Sequence, residues 1–230
     1  MLLGLGKKLL HPRNIIVALG IWLLVLNLQT KNSPQSRSTT HYPSKIYGTK
    51  PLAMKGGDPY IRALMRTISA SEANVPRPYH VIYGGKYVSD LSNHPDLCVR
   101  IVTGPNKNNC TTAAGRYQFI NTTWYERAKR YHPKPSKFLW LKTKYSFEPK
   151  YQDRVVYAWL KDSQVWGADI SQLLRQGKIK QVLRKLSGTW TSLGYGIETN
   201  SMSRYLPEIY QNMLQEELGK AEKEKQTKSS

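Results

Sequence analysis

The clearest alternation of apolar and polar positions along the chain lies between residues 58 and 72. Asp58 is a residue type that caps helices, and Pro59 is well tolerated at a first helical position. Apolar side chains then recur at i, i+3, i+4 and i+7, which is one face of an α-helix. They are Ile61, Leu64, Met65 and Ile68. The pattern predicts an amphipathic helix that begins at residue 59 and packs this face against a core.

After two prolines the pattern changes from helical to extended. The stretch YHVIYGGKYVSD, residues 79–90, is rich in aromatic and β-branched residues around a Gly-Gly pair. This composition is typical of two short strands joined by a tight turn. It predicts a β-hairpin near the start of the domain.

Helical spacing returns in the second half of the chain. The segments are TTWYERAKRYH, PKYQDRVVYAWLKD, ADISQLLRQG, KIKQVLRKLSG and MSRYLPEIYQNML. In the first of them Thr123 and Glu126 have the spacing of a capping box, and in the third a glycine marks the helix end. The expected fold class is therefore α+β, a mostly helical domain with one small hairpin sheet near its start.

The N-terminal segment has a different composition. A nearly unbroken apolar run extends from Ile15 to Leu28 and comes after the basic residues Lys7, Lys8 and Arg13. A positive flank before an apolar segment favours a cytoplasmic N-terminus and export of the rest of the chain. No small-x-small processing site comes next, which favours an uncleaved signal anchor, with a cleaved signal peptide as the alternative. The chain is therefore expected in the cell envelope, tethered to the membrane and facing the periplasm or wall, or secreted if the segment is cleaved.

Composition divides the chain into four parts. Residues 1–28 are the predicted anchor or signal peptide, and residues 29–57, rich in Ser, Thr, Pro, Lys and Gly, are predicted to be a flexible basic linker. Residues 58–215 hold the compact domain, which is long enough to bury a substantial core. Residues 216–230 carry mixed charges and no aromatic residue, which predicts a charged tail that frays or is disordered.

The net charge indicates the kind of partner, and the cysteine content indicates the redox state of the compartment. The formal net charge is +20 and the pI about 9.9, so the expected partner is a polyanion such as nucleic acid, anionic lipid or an acidic cell-wall polymer. Cys98 and Cys110 flank a Gly-Pro-Asn loop and are expected to form a disulfide in an oxidising compartment, contributing about 3 kcal/mol. Two reduced thiols are the alternative if the chain is not exported. Two thiols are too few ligands for zinc, so no metal site is expected.

Glu72 continues the apolar stripe of the predicted helix, four residues beyond Ile68 and seven beyond Met65. A carboxyl there is expected on the inward face at the helix C-terminus, where burial and the helix dipole both raise its pKa. A carboxylic acid that stays protonated near neutral pH suits general acid catalysis of glycosidic bond cleavage. The alternative is an ordinary glutamate at a helix end with its head in solvent.

Three segments of the domain carry motifs that are specific in combination. They are SEANVPRPYHVIYGGKYVSDLSNHP, TTAAGRYQF and GTWTSLGYG. In this order they resemble the lambdoid-phage endolysins of glycoside hydrolase family 104, from about Pro59 to Leu214. The resemblance implies a lysozyme-like fold and cleavage of peptidoglycan as a lytic transglycosylase, with no metal or other cofactor. It does not extend to the N-terminal segments.

Carried over position by position, the resemblance implies that Glu72 is the catalytic acid and base. It would protonate the oxygen between N-acetylmuramic acid and N-acetylglucosamine. It would then take a proton from the muramic acid C6 hydroxyl as that group attacks C1, which leaves a 1,6-anhydro end. The expected partners are peptidoglycan strands and, through residues 1–28, a membrane, rather than nucleic acid.

Two other functions remain open at this stage. A hydrolytic muramidase usually uses a second carboxylate, and Asp90 is the candidate for that role. The alternative for Asp90, in the turn SDLSNHP, is a hydrogen bond to nearby backbone amides. The third possibility is a basic module without enzymatic activity that binds glycan or nucleic acid.

Further substrate-binding candidates come from the motifs. In AAGRYQF, Gly115 suits a close backbone approach, Tyr117 suits stacking on a sugar or donation from its hydroxyl, and Gln118 suits binding of an N-acetyl group or a C6 hydroxyl. Tyr79, before the hairpin, and Tyr195, in LGYG, are candidates for the cleft wall. Core packing is the alternative for each of them.

The remaining polar candidates are expected to be peripheral. Asp96, Glu126 and Asp153 lie in turn or helix contexts that favour solvated or capping carboxylates. His80 departs from some relatives of the resembled family, which have an acidic residue at the matching position. That difference affects the expected local substrate contacts and leaves the role implied for Glu72 unchanged.

Overall fold

A computed structural model describes residues 49–102, 104, 106–133, 145–195 and 201–229. The predicted signal anchor at residues 1–28 lies outside them. The helices are α1 (Pro59–Glu72), α2 (Asn121–Tyr131), α3 (Pro149–Lys161), α4 (Ser163–Trp166), α5 (Ile170–Arg175), α6 (Ile179–Leu186) and α7 (Leu206–Ser229). Single 3₁₀ turns are formed by Pro78–His80, Thr191–Leu193 and Ser203–Tyr205. None of the described helices combines the length and apolarity needed to cross a membrane.

The prediction for α1 is confirmed. Asp58 caps the helix through Oδ1, which accepts a hydrogen bond from the Tyr60 backbone N–H at 3.0 Å, and Pro59 is the first helical residue. The four apolar residues of the predicted inward face are all 0% exposed. α1 packs mainly against α7 and also against α3 and α5, so this face lies within the helical core.

The capping box predicted from Thr123 and Glu126 is wrong. α2 begins at Asn121, and the residue before it gives no side-chain cap. The backbone N–H of Asn121 instead donates to the hydroxyl of Thr112 at 3.0 Å. One of the N–H groups that a helix N-terminus leaves without an internal partner is thus satisfied from a different segment, which spacing along the helix does not reveal.

The predicted hairpin forms as a tight reversal without regular strands. The backbone N–H of Ile82 donates to the carbonyl of Lys86 at 2.8 Å, and one isolated bridge joins Val81 to Tyr87. Residues Pro78–His80 form a 3₁₀ turn rather than part of a strand. The backbone of Tyr83 donates at 2.9 Å to a carbonyl of the AAGRYQF segment, so the reversal is held by a neighbouring segment as much as by its own pairing.

The regular sheet lies around the cysteine loop. Strands β1 (Val99–Arg100) and β2 (Cys110–Thr111) pair antiparallel, with Val99 opposite Thr111. Cys98 and Cys110 form a disulfide, as predicted. The architecture is therefore α+β and mostly helical, as expected, with the small sheet at the base of the cysteine loop instead of in the Gly-Gly reversal.

The domain begins before residue 58. Leu52 and Met54 are 8% and 7% exposed, and the backbone N–H of Met54 donates to the buried carboxylate of Asp153 at 3.0 Å. Two carbonyls of the same segment accept hydrogen bonds from Arg116. Residues 49–57 were predicted as linker because they are polar and lack an apolar period; buried charged groups elsewhere in the domain nevertheless hold the first part of this segment in place.

The helix α7 continues to Ser229, through residues predicted as a charged tail. Glu217, whose side chain is 1% exposed, accepts from Arg62 at 2.6 Å and from Arg66 at 2.8 Å. Glu216 pairs with Arg66 at 2.7 Å. Both arginines lie on α1, so this α1–α7 ion-pair network fixes the two helices together. A domain boundary after residue 215 would cut it.

Candidate active site

Glu72 is the last residue of α1 and is half-buried. The hydroxyl of Ser192, in the 3₁₀ turn Thr191–Leu193, donates a hydrogen bond to Oε1 of Glu72. The same hydroxyl oxygen lies 3.0 Å from the hydroxyl oxygen of Ser71. Since Ser192 is 7% exposed, its position is set by packing, and it fixes the orientation of the carboxyl at the end of the helix.

The carboxyl of Glu72 lies in the wall of a cleft of about 830 Å³. This volume is in the range of sites that enclose an extended small ligand. Several other parts of the fold contribute to the wall: the Gly-Gly reversal, the cysteine loop, the AAGRYQF turn, α2, α3 and the first five residues of GTWTSLGYG. Their lining side chains include Gln118, Ile101, Asn106, Arg127 and Trp190.

Gln118 is held in the cleft wall by a strained turn. Ala114 and Phe119 exchange two backbone hydrogen bonds of 2.9 Å, and the chain reverses between them with a φ of +75° at Gly115 and +46° at Gln118. A residue with a side chain is uncommon at positive φ, and such strain is often found at functional sites. The Gln118 Nε2 donates to the Gly115 carbonyl at 2.9 Å. The structure thus brings Gln118 and Glu72 to the same cleft.

The close backbone approach predicted at Gly115 is confirmed. A Cβ atom there would lie 2.3 Å from Oε1 of Gln152 and 2.7 Å from the ring of Phe147. Gln152 is fully buried and accepts from the backbone N–H of Arg116 at 2.9 Å, while its Nε2 donates to the carbonyls of Tyr79 and Phe147 at 3.0 and 2.8 Å. Gln152 therefore joins the AAGRYQF turn to the segment before the reversal.

Asp153 is the centre of a buried polar network. Its carboxylate accepts from the hydroxyls of Tyr79 and Tyr117 at 2.8 and 2.7 Å, besides backbone N–H groups of the segment that precedes α1. The prediction that Asp153 is solvated or a cap is wrong, since its exposed fraction is 0%. Arg116, also 0% exposed, donates to the Tyr79 hydroxyl at 2.9 Å and balances the charge.

Two tyrosines predicted to contact sugar, Tyr79 and Tyr117, take part in this network, and Tyr117 also lies in the lining of the cleft. Tyr117 is 0% exposed, and the hydroxyl of Tyr79 is occupied by Asp153 and Arg116. Burial, and next the charge of Asp153, raises the pKa of both hydroxyls far above the usual tyrosine value, so both stay protonated donors. Both hydroxyls donate to the buried carboxylate of Asp153.

Tyr195 has a different environment from the other two tyrosines. It is 40% exposed and its ring stacks with Arg184, whose Cζ is 5.1 Å from the ring centroid. It is not among the described residues that line the cleft. Asp96 and Glu126 are exposed, as expected for solvated carboxylates.

Asp90 is not brought together with Glu72. It lies in a separate cavity of about 560 Å³ that also involves His80. Its Oδ1 accepts from the backbone N–H of Ser92 at 2.8 Å, which is the turn role weighed as its alternative. Among the residues described, Glu72 is the one carboxylate in the lining of its cleft, and nowhere do three or more His, Cys, Asp or Glu side chains group closely enough to hold a metal ion.

Sequence reasoning missed Ser192 and Gln152. Ser192 stands inside the quoted motif GTWTSLGYG, but nothing local to that motif indicates its partner. Gln152 lies just after the first residues of α3 and has no neighbour in sequence that signals burial. The roles of Ser192 and Gln152 depend on contacts between segments that are far apart in the sequence.

Comparison with known proteins agrees with the motifs. The family model described as Endolysin matches residues 62–216. The endolysin of Escherichia phage lambda is 34% identical over 121 residues, which are 51% of this chain and 64% of the relative, so the match spans somewhat less than two thirds of that relative's length. Two solved structures are similar at 24% identity and a TM-score of 0.49. They are the lysozyme from bacteriophage lambda, covering 71% of this chain and 97% of that one, and bacteriophage lambda lysozyme complexed with a chitohexasaccharide, covering 70% and 97%.

Proposed function

The chain belongs to the endolysin family, and from this membership we propose that it cleaves the glycan strands of peptidoglycan as a lytic transglycosylase. The observation that carries the proposal is the placement of Glu72. Glu72 is the last residue of α1, and its carboxyl lies in the wall of a cleft of about 830 Å³ and accepts a hydrogen bond from Ser192. A half-buried carboxyl held in one orientation is what acid catalysis of glycosidic cleavage needs.

The proposed reaction begins with Glu72 protonated. Its proton passes to the glycosidic oxygen as the bond from that oxygen to C1 of N-acetylmuramic acid breaks. The C6 hydroxyl of the same sugar attacks C1, and the Glu72 carboxylate accepts the hydroxyl proton. One C–O bond is broken and one is formed, no water is consumed, and Glu72 returns to its starting protonation state.

The choice of transglycosylase over hydrolase rests on the number of carboxylates in the cleft. Hydrolytic glycosidases usually use a pair, one as acid and the other as nucleophile or base. In the described part of the lining, Glu72 stands without a second carboxylate, and Asp90 belongs to another cavity. Because the internal C6 hydroxyl replaces an external nucleophile, one carboxyl suffices for the proposed reaction.

The test compares the wild-type chain with Glu72→Gln on purified sacculi. We expect clearing of the sacculi by wild type and at least a hundredfold slower clearing by the variant, since general acid catalysis contributes about 10²–10⁴ in rate. Mass spectrometry of the released fragments should reveal anhydro-muramic ends, lighter than reducing ends by one water. Reducing ends would favour a hydrolytic muramidase. Equal clearing by both proteins would remove Glu72 from the mechanism, and binding without any clearing would favour a non-enzymatic module.

We further propose that the domain acts outside the cytoplasm. The substrate lies there, and the disulfide between Cys98 and Cys110 is the kind of bond that persists in an oxidising compartment. The anchor predicted within residues 1–28 is the proposed route of export. Cell fractionation with alkaline extraction tests it: the full chain should remain with membranes, and a variant lacking residues 2–28 should stay in the cytoplasm with reduced cysteines.

A further inference from the structure

The lining of the cleft that contains Glu72 includes a positively charged side chain, that of Arg127. Among its described lining residues, Arg127 of α2 is the one with a permanently positive side chain, and lysine and histidine do not occur there. Most of the chain's positive charge is therefore outside this groove. A lone guanidinium inside a groove proposed to hold glycan points to an anionic feature of the ligand.

The guanidinium of Arg127 is held in place by an aromatic ring. Its central carbon, Cζ, lies 4.4 Å from the centroid of the Trp159 ring, within the range of a cation–π interaction. Trp159 is 2% exposed and packs against Trp190 and Trp166, with centroid distances of 5.3 and 5.1 Å. The cation is thus positioned before a ligand arrives, which lowers the entropy lost on binding.

The charge of Arg127 is only weakly neutralised within the protein. Its side chain is 23% exposed, and its Nε is buried without a hydrogen-bond partner. Its ion-pair partner in the described part of the chain, Glu126, is 3.3 Å away and 66% exposed. An exposed pair of this kind contributes little because water screens it, so the guanidinium can still bind a better-placed anion.

We infer that Arg127 binds a carboxylate of the glycan strand, which makes the cleft select acidic strands over neutral N-acetylglucosamine polymers. The inference rests on the proposed function, since it takes the ligand to be peptidoglycan. In that polymer every second sugar carries a lactyl group, whose carboxylate is either free or joined to a stem peptide that has carboxylates of its own. A guanidinium can donate two parallel hydrogen bonds to a carboxylate from either source.

A chain of packed residues connects the Arg127 side chain to Glu72. Trp190, which packs on Trp159, lies two residues before Ser192, and Ser192 donates to Glu72. The platform under Arg127 and the group that orients Glu72 therefore belong to one packed unit. An acidic substituent bound at Arg127 holds the strand in a fixed register with Glu72, and such positioning lowers the barrier to reaction.

The test measures binding in a Glu72→Gln background, in which the proposed cleavage is blocked. Three ligands are titrated by calorimetry: muramyl tetrasaccharides with stem peptides, the same saccharides after amidase removal of the peptides, and an N-acetylglucosamine tetrasaccharide. Arg127→Gln should weaken binding of at least one acidic ligand about tenfold and change binding of the neutral one by less than about twofold. The acidic ligand that loses affinity identifies the source of the carboxylate.

Two further variants make the result specific. Lys129→Gln removes an exposed charge from the same helix outside the cleft lining, and it should leave all three affinities unchanged. Arg127→Lys keeps the charge without the planar fork and should retain part of the affinity for the acidic ligand.

Equal weakening of neutral and acidic ligands, or no weakening of either acidic ligand, overturns the inference. The neutral ligand also reports whether each variant is folded. The proposed function fails on a different observation, namely the release of no fragments from sacculi by the wild-type chain.

Discussion

The hydroxyl of Ser192 donates a hydrogen bond to Oε1 of Glu72 across a separation of 120 residues. Ser192→Ala removes the donor that orients the carboxyl. A hydrogen bond of this kind contributes about 1–2 kcal/mol, so we expect kcat on sacculi to fall about tenfold. Turbidity kinetics measure it, with Ser163→Ala, an exposed serine at the start of α4, as the control that should behave as wild type. An unchanged kcat in Ser192→Ala would contradict the orienting role.

Tyr117→Phe distinguishes a network residue from a sugar-binding residue. The substitution removes one donor from the buried Asp153 carboxylate, so the free energy of unfolding in urea should fall by about 2 kcal/mol. The KM for soluble glycan strands should stay within about twofold of wild type, since the ring is fully buried. A raised KM with unchanged stability would instead return Tyr117 to the substrate site. Tyr195→Phe, whose side chain is exposed, should change neither quantity.

Reduction of the Cys98–Cys110 disulfide should affect both stability and substrate binding. The loop between the two cysteines contributes Ile101 and Asn106 to the cleft wall. Loss of the bond should lower the free energy of unfolding by about 3 kcal/mol and raise KM, because the wall is no longer fixed. Melting curves and KM are measured with and without reductant. The double alanine variant is the control; if reductant also inhibits that variant, the effect does not come from the disulfide.

Gly115→Ala should be far more harmful than Gly177→Ala. Both glycines have a positive φ, +75° and +73°, so both substitutions place a side chain in the left-handed region, at about 1–2 kcal/mol. Only at Gly115 would the new Cβ also meet Gln152, at 2.3 Å, whereas nothing lies within 4 Å at Gly177. Thermal melting should reveal a much larger loss for Gly115→Ala. Equal losses would mean that backbone strain, and not the close approach, makes glycine necessary there.

The α1–α7 ion-pair network predicts a pH dependence of stability. Burial by itself raises the pKa of Glu217, but the hydrogen bond and charge of Arg62 and the charges of Lys220 and Arg66 outweigh it and hold the pKa below its usual value. A carboxyl whose pKa is lower in the folded state stabilises the fold above its unfolded pKa of about 4.3. This contribution is lost as pH falls through the lower, folded-state value.

Glu217→Gln should therefore be less stable than wild type at pH 7, by about 3 kcal/mol, because Arg62 and Arg66 both lose the buried carboxylate that they share. The difference should shrink below about pH 4, as the wild-type carboxyl becomes protonated. Urea unfolding at several pH values measures it. Glu222→Gln, an exposed change further along α7, should have little effect at any pH. A difference that does not vary with pH would contradict the assigned role of the Glu217 charge.

Local patterns were sufficient where the physics is local. The start of α1 depends on Asp58 and Pro59, which act within one helical turn, and the inward position of Glu72 arises from the same 3.6-residue period. The disulfide was predictable in the same way, because two cysteines that flank one short loop have few other partners. These features were predicted correctly from neighbouring residues alone.

Contacts between distant segments account for the features that were missed. The partners of Asp153 lie 74 residues away in Tyr79 and 36 away in Tyr117, so an acid in a helix looked solvated. The Gly-Gly reversal lacks regular strands because its backbone groups bond partly to the AAGRYQF segment. The motif indicated Tyr117 as a candidate for sugar contact, but it gave no sign that the Tyr117 hydroxyl donates to a buried carboxylate.

Arg116 and Asp153 bind the backbone of the segment before α1, so this segment is part of the folded domain. Both side chains are fully buried and charged. A fragment cut at residue 58 would remove several of their hydrogen-bond partners, and it should be less stable than a fragment that begins at residue 49.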